Sequence, residues 1–335
     1  MRTLAFCLAL LTAAPALAQD FPADTPRRPV ATYSIVAHDA ETGQLGVAVQ
    51  SHWFSVGAVV PWAEPGVGAV ATQSFVDPAY GPRGLELMRT GSSAEEALAA
   101  LVSADAGRAV RQVAFVDAEG RVAVHTGSRA IAAAGHRTGD GYAVQANLME
   151  NDTVWDAMAE AYEASTGDLA ERLLAALEAA QAEGGDLRGQ QSAALLVTRA
   201  EPTGKPWADR LFDLRVEDHP APVAELQRLV GLQRAYQKLN EGDEHVTEGD
   251  IEAAMASYSA AMALAPDEAN NGESAFWVGI TLAGVGRVDE AVPYLARAYR
   301  QDVRWAMLVP RLPAAGLLPE ALAPTLVVRM KAPEE

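Results

Sequence analysis

A single cysteine, Cys7, occurs in the chain, and it lies in the apolar run near the N-terminus. The remaining sequence can therefore form no disulfide and offer no Cys ligand to a metal. No two histidines stand at the i, i+4 spacing of a helical zinc site, and no metal or cofactor is expected. Glycine loops of the phosphate-binding type and nucleophile-elbow patterns are missing too. Positive charge is scarce: 26 Lys and Arg stand against 44 Asp and Glu, a formal net charge of -18. Nucleic acid and anionic membrane surfaces, which attract clustered Lys and Arg, are poor partners for such a chain. Beyond residue 18 no apolar run approaches the roughly 20 residues a bilayer span needs.

What is present begins with a targeting pattern. Met1 and Arg2 supply a short positive region, residues 4–17 are apolar, and Ala16-Leu17-Ala18 is a small-residue cleavage site. Residues 1–18 read as a signal peptide and the product as exported, to a bacterial periplasm or secreted. Residues 19–31 carry Pro22, Pro26 and Pro29 and read as an extended leader.

The length, 335 residues, suggests two domains at about 150 residues each. From Thr32 the pattern alternates with period two through residues 32–39 and again through 45–51. Gly43 between them suits a tight reversal. Further strands are expected at 67–74, 112–116, 121–127, 139–147, 192–198 and 207–216, with a turn over 61–66 and a loop over 77–82. Helical spacing is found at 84–90, from 92 to about 102, at 153–165 and at 169–182. Strands pair as hairpins, not as crossovers, so two packed antiparallel sheets covered by helices are expected.

Asp218-His219-Pro220-Ala221-Pro222 reads as a linker, and only helices follow it. Gly249 and Gly286, Ala254 and Ala291, and Ala261 and Ala298 are each offset by 37 positions. This region, 221–335, resembles tetratricopeptide repeats, whose period is about 34 residues. It is expected to be a small all-α domain able to dock a protein partner.

Residues 32–220 resemble the bacterial family called domain of unknown function 1028, which is placed in the Ntn-hydrolase superfamily. The stretches that carry the resemblance include Thr32-Tyr33-Ser34-Ile35-Val36-Ala37, Thr72-Gln73-Ser74, Tyr80-Gly81-Pro82-Arg83-Gly84-Leu85, Gly135-His136-Arg137-Thr138-Gly139, Gln145-Ala146-Asn147 and Gly185-Asp186-Leu187-Arg188-Gly189-Gln190-Gln191-Ser192. The resemblance implies an α+β fold, an αββα sandwich of two antiparallel sheets between helical layers. It implies no substrate.

The superfamily's chemistry needs a hydroxyl residue at a chain start, where the free α-amino group takes the hydroxyl proton. Thr32 is the residue in that place, with Ser34 second on the same strand face. Gln73, Gln145, Asn147 and Gln191 are candidate donors to an oxyanion. Asp186, Arg188, Asp39 and His136 are candidate charged partners. Each also has a structural reading: the amides as partners of buried backbone, Asp186 with Arg188 as a brace, Thr32 as an ordinary strand residue while residues 19–31 precede it. Two functions follow. One is an exported amide hydrolase of unknown small-molecule or peptide substrate. The other is a non-catalytic binding module whose helical repeats engage a protein.

Overall fold

The computed structural model describes residues 32–332. The signal peptide and leader expected over 1–31 lie outside the described residues.

The chain runs through β1 (Thr32–His38), β2 (Leu45–Ser51), β3 (Pro61–Glu64) and β4 (Gly68–Ser74), then α1 (Tyr80–Arg89) and α2 (Ala94–Ala104). Four strands follow: β5 (Arg111–Asp117), β6 (Val122–Thr126), β7 (Gly135–Gly139) and β8 (Tyr142–Asn147). After α3 (Val154–Ala164) and α4 (Leu169–Ala182) come β9 (Ser192–Thr198) and β10 (Arg210–Val216). The rest is helical: α5 (Pro222–Glu248), α6 (Ile251–Leu264), α7 (Glu273–Gly284), α8 (Val288–Gln301), α9 (Trp305–Leu308) and α10 (Ala323–Arg329). The fold is thus mixed α+β, and every strand pair is antiparallel. One sheet has the order β10-β9-β2-β1-β8-β7, the other β3-β4-β5-β6.

Alternation assigns the faces. In β1, Tyr33, Ile35 and Ala37 join Met158, Leu169, Leu173 and Leu177 of α3 and α4 in one core. Val36 points the other way. It meets Val47 and Val49 of β2 and Ala69, Ala71, Ala114 and Val116 of the smaller sheet in a second core. Val70, Val113 and Phe115 turn outward onto α1 and α2. The central strands are buried on both sides, so their period shows as small against large residues and not as apolar against polar.

Several boundaries differ from expectation. Residues 61–64, expected to turn, form β3. Pro61 is tolerated because it opens a strand at a sheet edge, where no ladder donor is needed. Residues 135–139 form β7, another edge strand, whose Gly-His-Arg-Thr-Gly sequence hides it from hydrophobic pattern reading. The expected loop at 77–82 already contains the start of α1, with Pro82 in the first turn, where its missing N–H costs nothing. Strand β10 begins at Arg210, three residues later than expected.

Helix α5 is 27 residues long and serves two cores. Val223, Leu226 and Val230 belong to the core beneath the larger sheet, Leu239 to a separate helical core. The 37-residue offset is structural. Helices α6 and α8 have 14 residues each and begin at 251 and 288. Gly242 in α5 lies against the Tyr258 ring, and Gly279 in α7 lies against Leu295. Both pairs are related by the same offset, so two helical hairpins use one packing solution.

Candidate functional site

The space between the sheets changes character along the strands. Past Val36 and Ala71, the inward positions become Thr32, Ser34, Ser51, Gln73, Gln112, Gln145, Asn147 and Ser192, all fully buried. Uncompensated burial of so many polar groups would be costly, so their partners can be traced.

Gln73 crosses from β4 to the larger sheet. Its Oε1 accepts the Ser34 hydroxyl at 2.7 Å. Its Nε2 donates to the Thr32 carbonyl at 3.2 Å and to Gln112 Oε1 at 2.8 Å. Gln145 Nε2 donates to Ser34 Oγ at 3.2 Å and to the Ala71 carbonyl at 3.1 Å. Gln112 Oε1 also accepts from Asn147 Nδ2 at 3.0 Å. Its Nε2 faces Thr126 Oγ1 and the carbonyls of Gly135 and Ala146, at 3.0, 3.1 and 2.9 Å. Thr32 Oγ1 donates to Ser51 Oγ at 3.3 Å. Ser34, on the same strand face as Thr32, is engaged with Gln73 and Gln145.

The amide nitrogens of Gln73 and Gln145 thus each face at least two acceptors, as many as they have hydrogens. They build the layer and are not open oxyanion donors. Asn147 Nδ2 keeps one N–H beyond its bond to Gln112. Among the described residues, the buried atoms without a hydrogen-bond partner include Asn147 Oδ1, Gln145 Oε1 and Ser74 Oγ. Thr32 and Asn147 are directly opposite each other across β1 and β8.

Ser55, Ser74 and Leu148 have φ of 61°, 69° and 57°. Ser74 is the last residue of β4, Leu148 follows β8 and Ser55 lies in the loop after β2, and left-handed backbone at such residues costs energy that concentrates at functional sites.

Charged groups stand at the margin. Asp186, buried, accepts from the His52 backbone N–H at 2.9 Å and from the Arg188 N–H and guanidinium at 2.8–3.0 Å. This ties the chain after β2 to the chain before β9, the bracing role. His136 lies on β7, with Nδ1 2.9 Å from Thr126 Oγ1. Partial burial of the ring, and then the neighbouring His125, hold its pKa below the ordinary histidine value. Gln191 is outside the layer: its Nε2 donates to Asp218 Oδ1 at 3.1 Å. Asp39 sits at the opposite end of β1, where it accepts from Thr42 and lies 3.8 Å from Arg172.

Sequence reading missed Gln112 and Ser51. The signal was there in each case: Gln112 shares the inward alternation of Ala114 and Val116, and Ser51 that of Val47 and Val49. No cluster of three or more His, Cys, Asp or Glu able to hold a metal occurs among the described residues. No helix among them is long and apolar enough to cross a membrane.

No curated protein matches the chain. A crystal structure of a Silicibacter pomeroyi protein with the same family designation is 34% identical to it. The match covers 60% of this chain and 84% of that one, with a TM-score of 0.54. The family described as "Family of unknown function (DUF1028)" matches residues 32–226. With that match running from the first residue of β1 into the first turns of α5, the chain belongs to the DUF1028 family.

Proposed function

We propose that the two-sheet region is an Ntn-hydrolase-like αββα sandwich that cleaves an amide bond, with Thr32 as nucleophile once the residues before it are removed in an exported protein. The observation that carries this reading is the pairing of Thr32 with Asn147. Thr32 opens β1 on the inward face, and directly opposite it stands a buried residue whose Oδ1 has no partner. A freed α-amino group on Thr32 brings new N–H donors to that side of the strand.

In the reaction the α-amino nitrogen takes the Thr32 hydroxyl proton as Oγ1 attacks the amide carbonyl carbon. The oxyanion draws on the remaining N–H of Asn147. Collapse expels the amine, which leaves with the proton. Water then attacks the ester on Oγ1, releasing the carboxylic acid and restoring the hydroxyl. With the Ala31–Thr32 peptide bond intact the nitrogen is an amide and accepts no proton, so uncleaved chain is inactive.

The test is the intact mass and N-terminal sequence of the protein exported by its native host, followed by a panel of amide substrates. A start at Thr32 with turnover is the expected result. A start at or near Gln19, with no turnover, overturns the reading and leaves a binding module. In either case we read the paired helices of 221–335 as tetratricopeptide-like, since the Gly242–Tyr258 and Gly279–Leu295 contacts repeat at one offset. Such helices present a concave face to a protein segment.

A further inference from the structure

Asn147 carries one acceptor and one donor end, and which end faces Thr32 decides its chemistry. The answer lies one hydrogen bond away, in Gln112. Its Nε2 points at two backbone carbonyls, Gly135 O and Ala146 O. A carbonyl can only accept, so Gln112 cannot exchange its oxygen and nitrogen without setting two acceptors against its own Oε1. Gln112 Oε1 is therefore fixed toward Gln73 and Asn147. Asn147 must in turn offer its Nδ2, at 3.0 Å, and keep Oδ1 turned away from Gln112. Both side chains are fully buried, where solvent gives no alternative partner.

We infer that Gln112 is a positioning residue: through Asn147 it holds a carbonyl oxygen, and not an amide nitrogen, toward the α-amino group of a processed Thr32. An oxygen there accepts an N–H of the amine and aims the nitrogen lone pair at the Thr32 hydroxyl. An NH2 group in the same place would compete for that lone pair. The catalytic part of this inference rests on the hydrolase reading, while the orientation of Asn147 does not.

Two measurements test it. The first is a neutron density map of the full chain, in which deuterons on the Asn147 atom beside Gln112 are expected. Deuterons on the opposite atom overturn the inference whether or not the protein has activity. The second uses the exported, processed protein. Gln112→Met removes the anchor and is expected to lower kcat about tenfold or more, with KM changed less than about twofold. Gln112→Glu is expected to recover most of kcat, because burial keeps its carboxyl neutral, with one oxygen accepting from Asn147 and one O–H to give to a carbonyl. Equal kcat in wild type and Gln112→Met overturns the positioning role. Should Gln112→Met not fold, Asn147→Leu, which removes both ends of the amide, replaces it: kcat at the wild-type level then overturns the role. Absence of turnover in processed wild type sinks the hydrolase reading alone, and the neutron map still decides the orientation.

Discussion

Gln73 Nε2 lies 3.2 Å from the carbonyl oxygen of Thr32, so the first residue of the larger sheet is held by a side chain of the smaller one. Replacing Gln73 by Met keeps the volume but strips partners from the Thr32 carbonyl and the Ser34 hydroxyl, both buried. Each lost partner costs about 1–3 kcal/mol, so a loss of roughly 2–6 kcal/mol is expected. The urea midpoint should fall with little change in slope. An unchanged midpoint would mean the sheets are not joined at this point.

Thr32 itself contributes less to folding. Its Oγ1 has a long bond, 3.3 Å, to Ser51. Thr32→Ala is expected to cost about 1 kcal/mol or less while abolishing any amide hydrolysis, and Thr32→Ser to keep measurable turnover. Full turnover in Thr32→Ala removes the residue from the mechanism.

A boundary at 220, natural from the Pro-rich linker, cuts through a core. Val223, Leu226 and Val230 are buried beneath the larger sheet. Removing them forfeits roughly 1.5–3 kcal/mol each, which together rivals the whole stability of a typical domain. Residues 32–220 alone are expected to be largely unfolded or aggregated, and residues 32–249 folded, by circular dichroism and thermal melting. A cooperative melt in the shorter piece would make α5 dispensable to the sandwich.

Much of this architecture was legible because its signals are local. The 45–51 strand and the 169–182 helix have the expected bounds, and the first strand ends at His38, one residue short of the expected 39, since alternation and helical spacing there are unbroken. Two of the four edge strands, β3 and β7, were not legible: β3 opens on a proline, and β7 exposes one face and carries no apolar rhythm. The long-range identity of the site was half legible. Thr32, Ser34, Gln73, Gln145 and Asn147 converge, but Gln112 joins them only because β5 pairs with β4 in a register no single strand encodes. Gln191, adjacent to the inward-facing Ser192, points elsewhere by the same alternation.

His136 makes stability depend on pH. Burial first, and His125 second, depress its pKa in the folded chain below the ordinary 6.5. As pH falls below about 6.5 the unfolded chain takes up this proton more readily than the folded one. The stability held by neutral His136 is thus present above 6.5 and is lost as pH falls through the folded pKa. The difference in unfolding free energy between wild type and His136→Gln should shrink from pH 7 to pH 5. A difference that stays constant, or grows, would contradict the shift.

Two glycines of α5 predict opposite signs for one substitution. At Gly231 an added Cβ meets nothing nearer than the Leu264 carbonyl, at 3.8 Å. Gly231→Ala should therefore stabilise by about 0.5–1 kcal/mol, the helix preference of Ala over Gly. At Gly242 the same atom falls 2.3 Å from the Tyr258 ring, which cannot swing aside freely because its hydroxyl bonds Asp243 at 2.6 Å. There the clash outweighs propensity, and Gly242→Ala should destabilise by about 1–3 kcal/mol. Gly279→Ala, with its Cβ 2.6 Å from Leu295, should behave like Gly242→Ala. Thermal unfolding of the three variants reads the signs directly. Stabilisation at 242 or 279 would mean the helices stand farther apart than their contacts require, and the repeat would lose its packing basis.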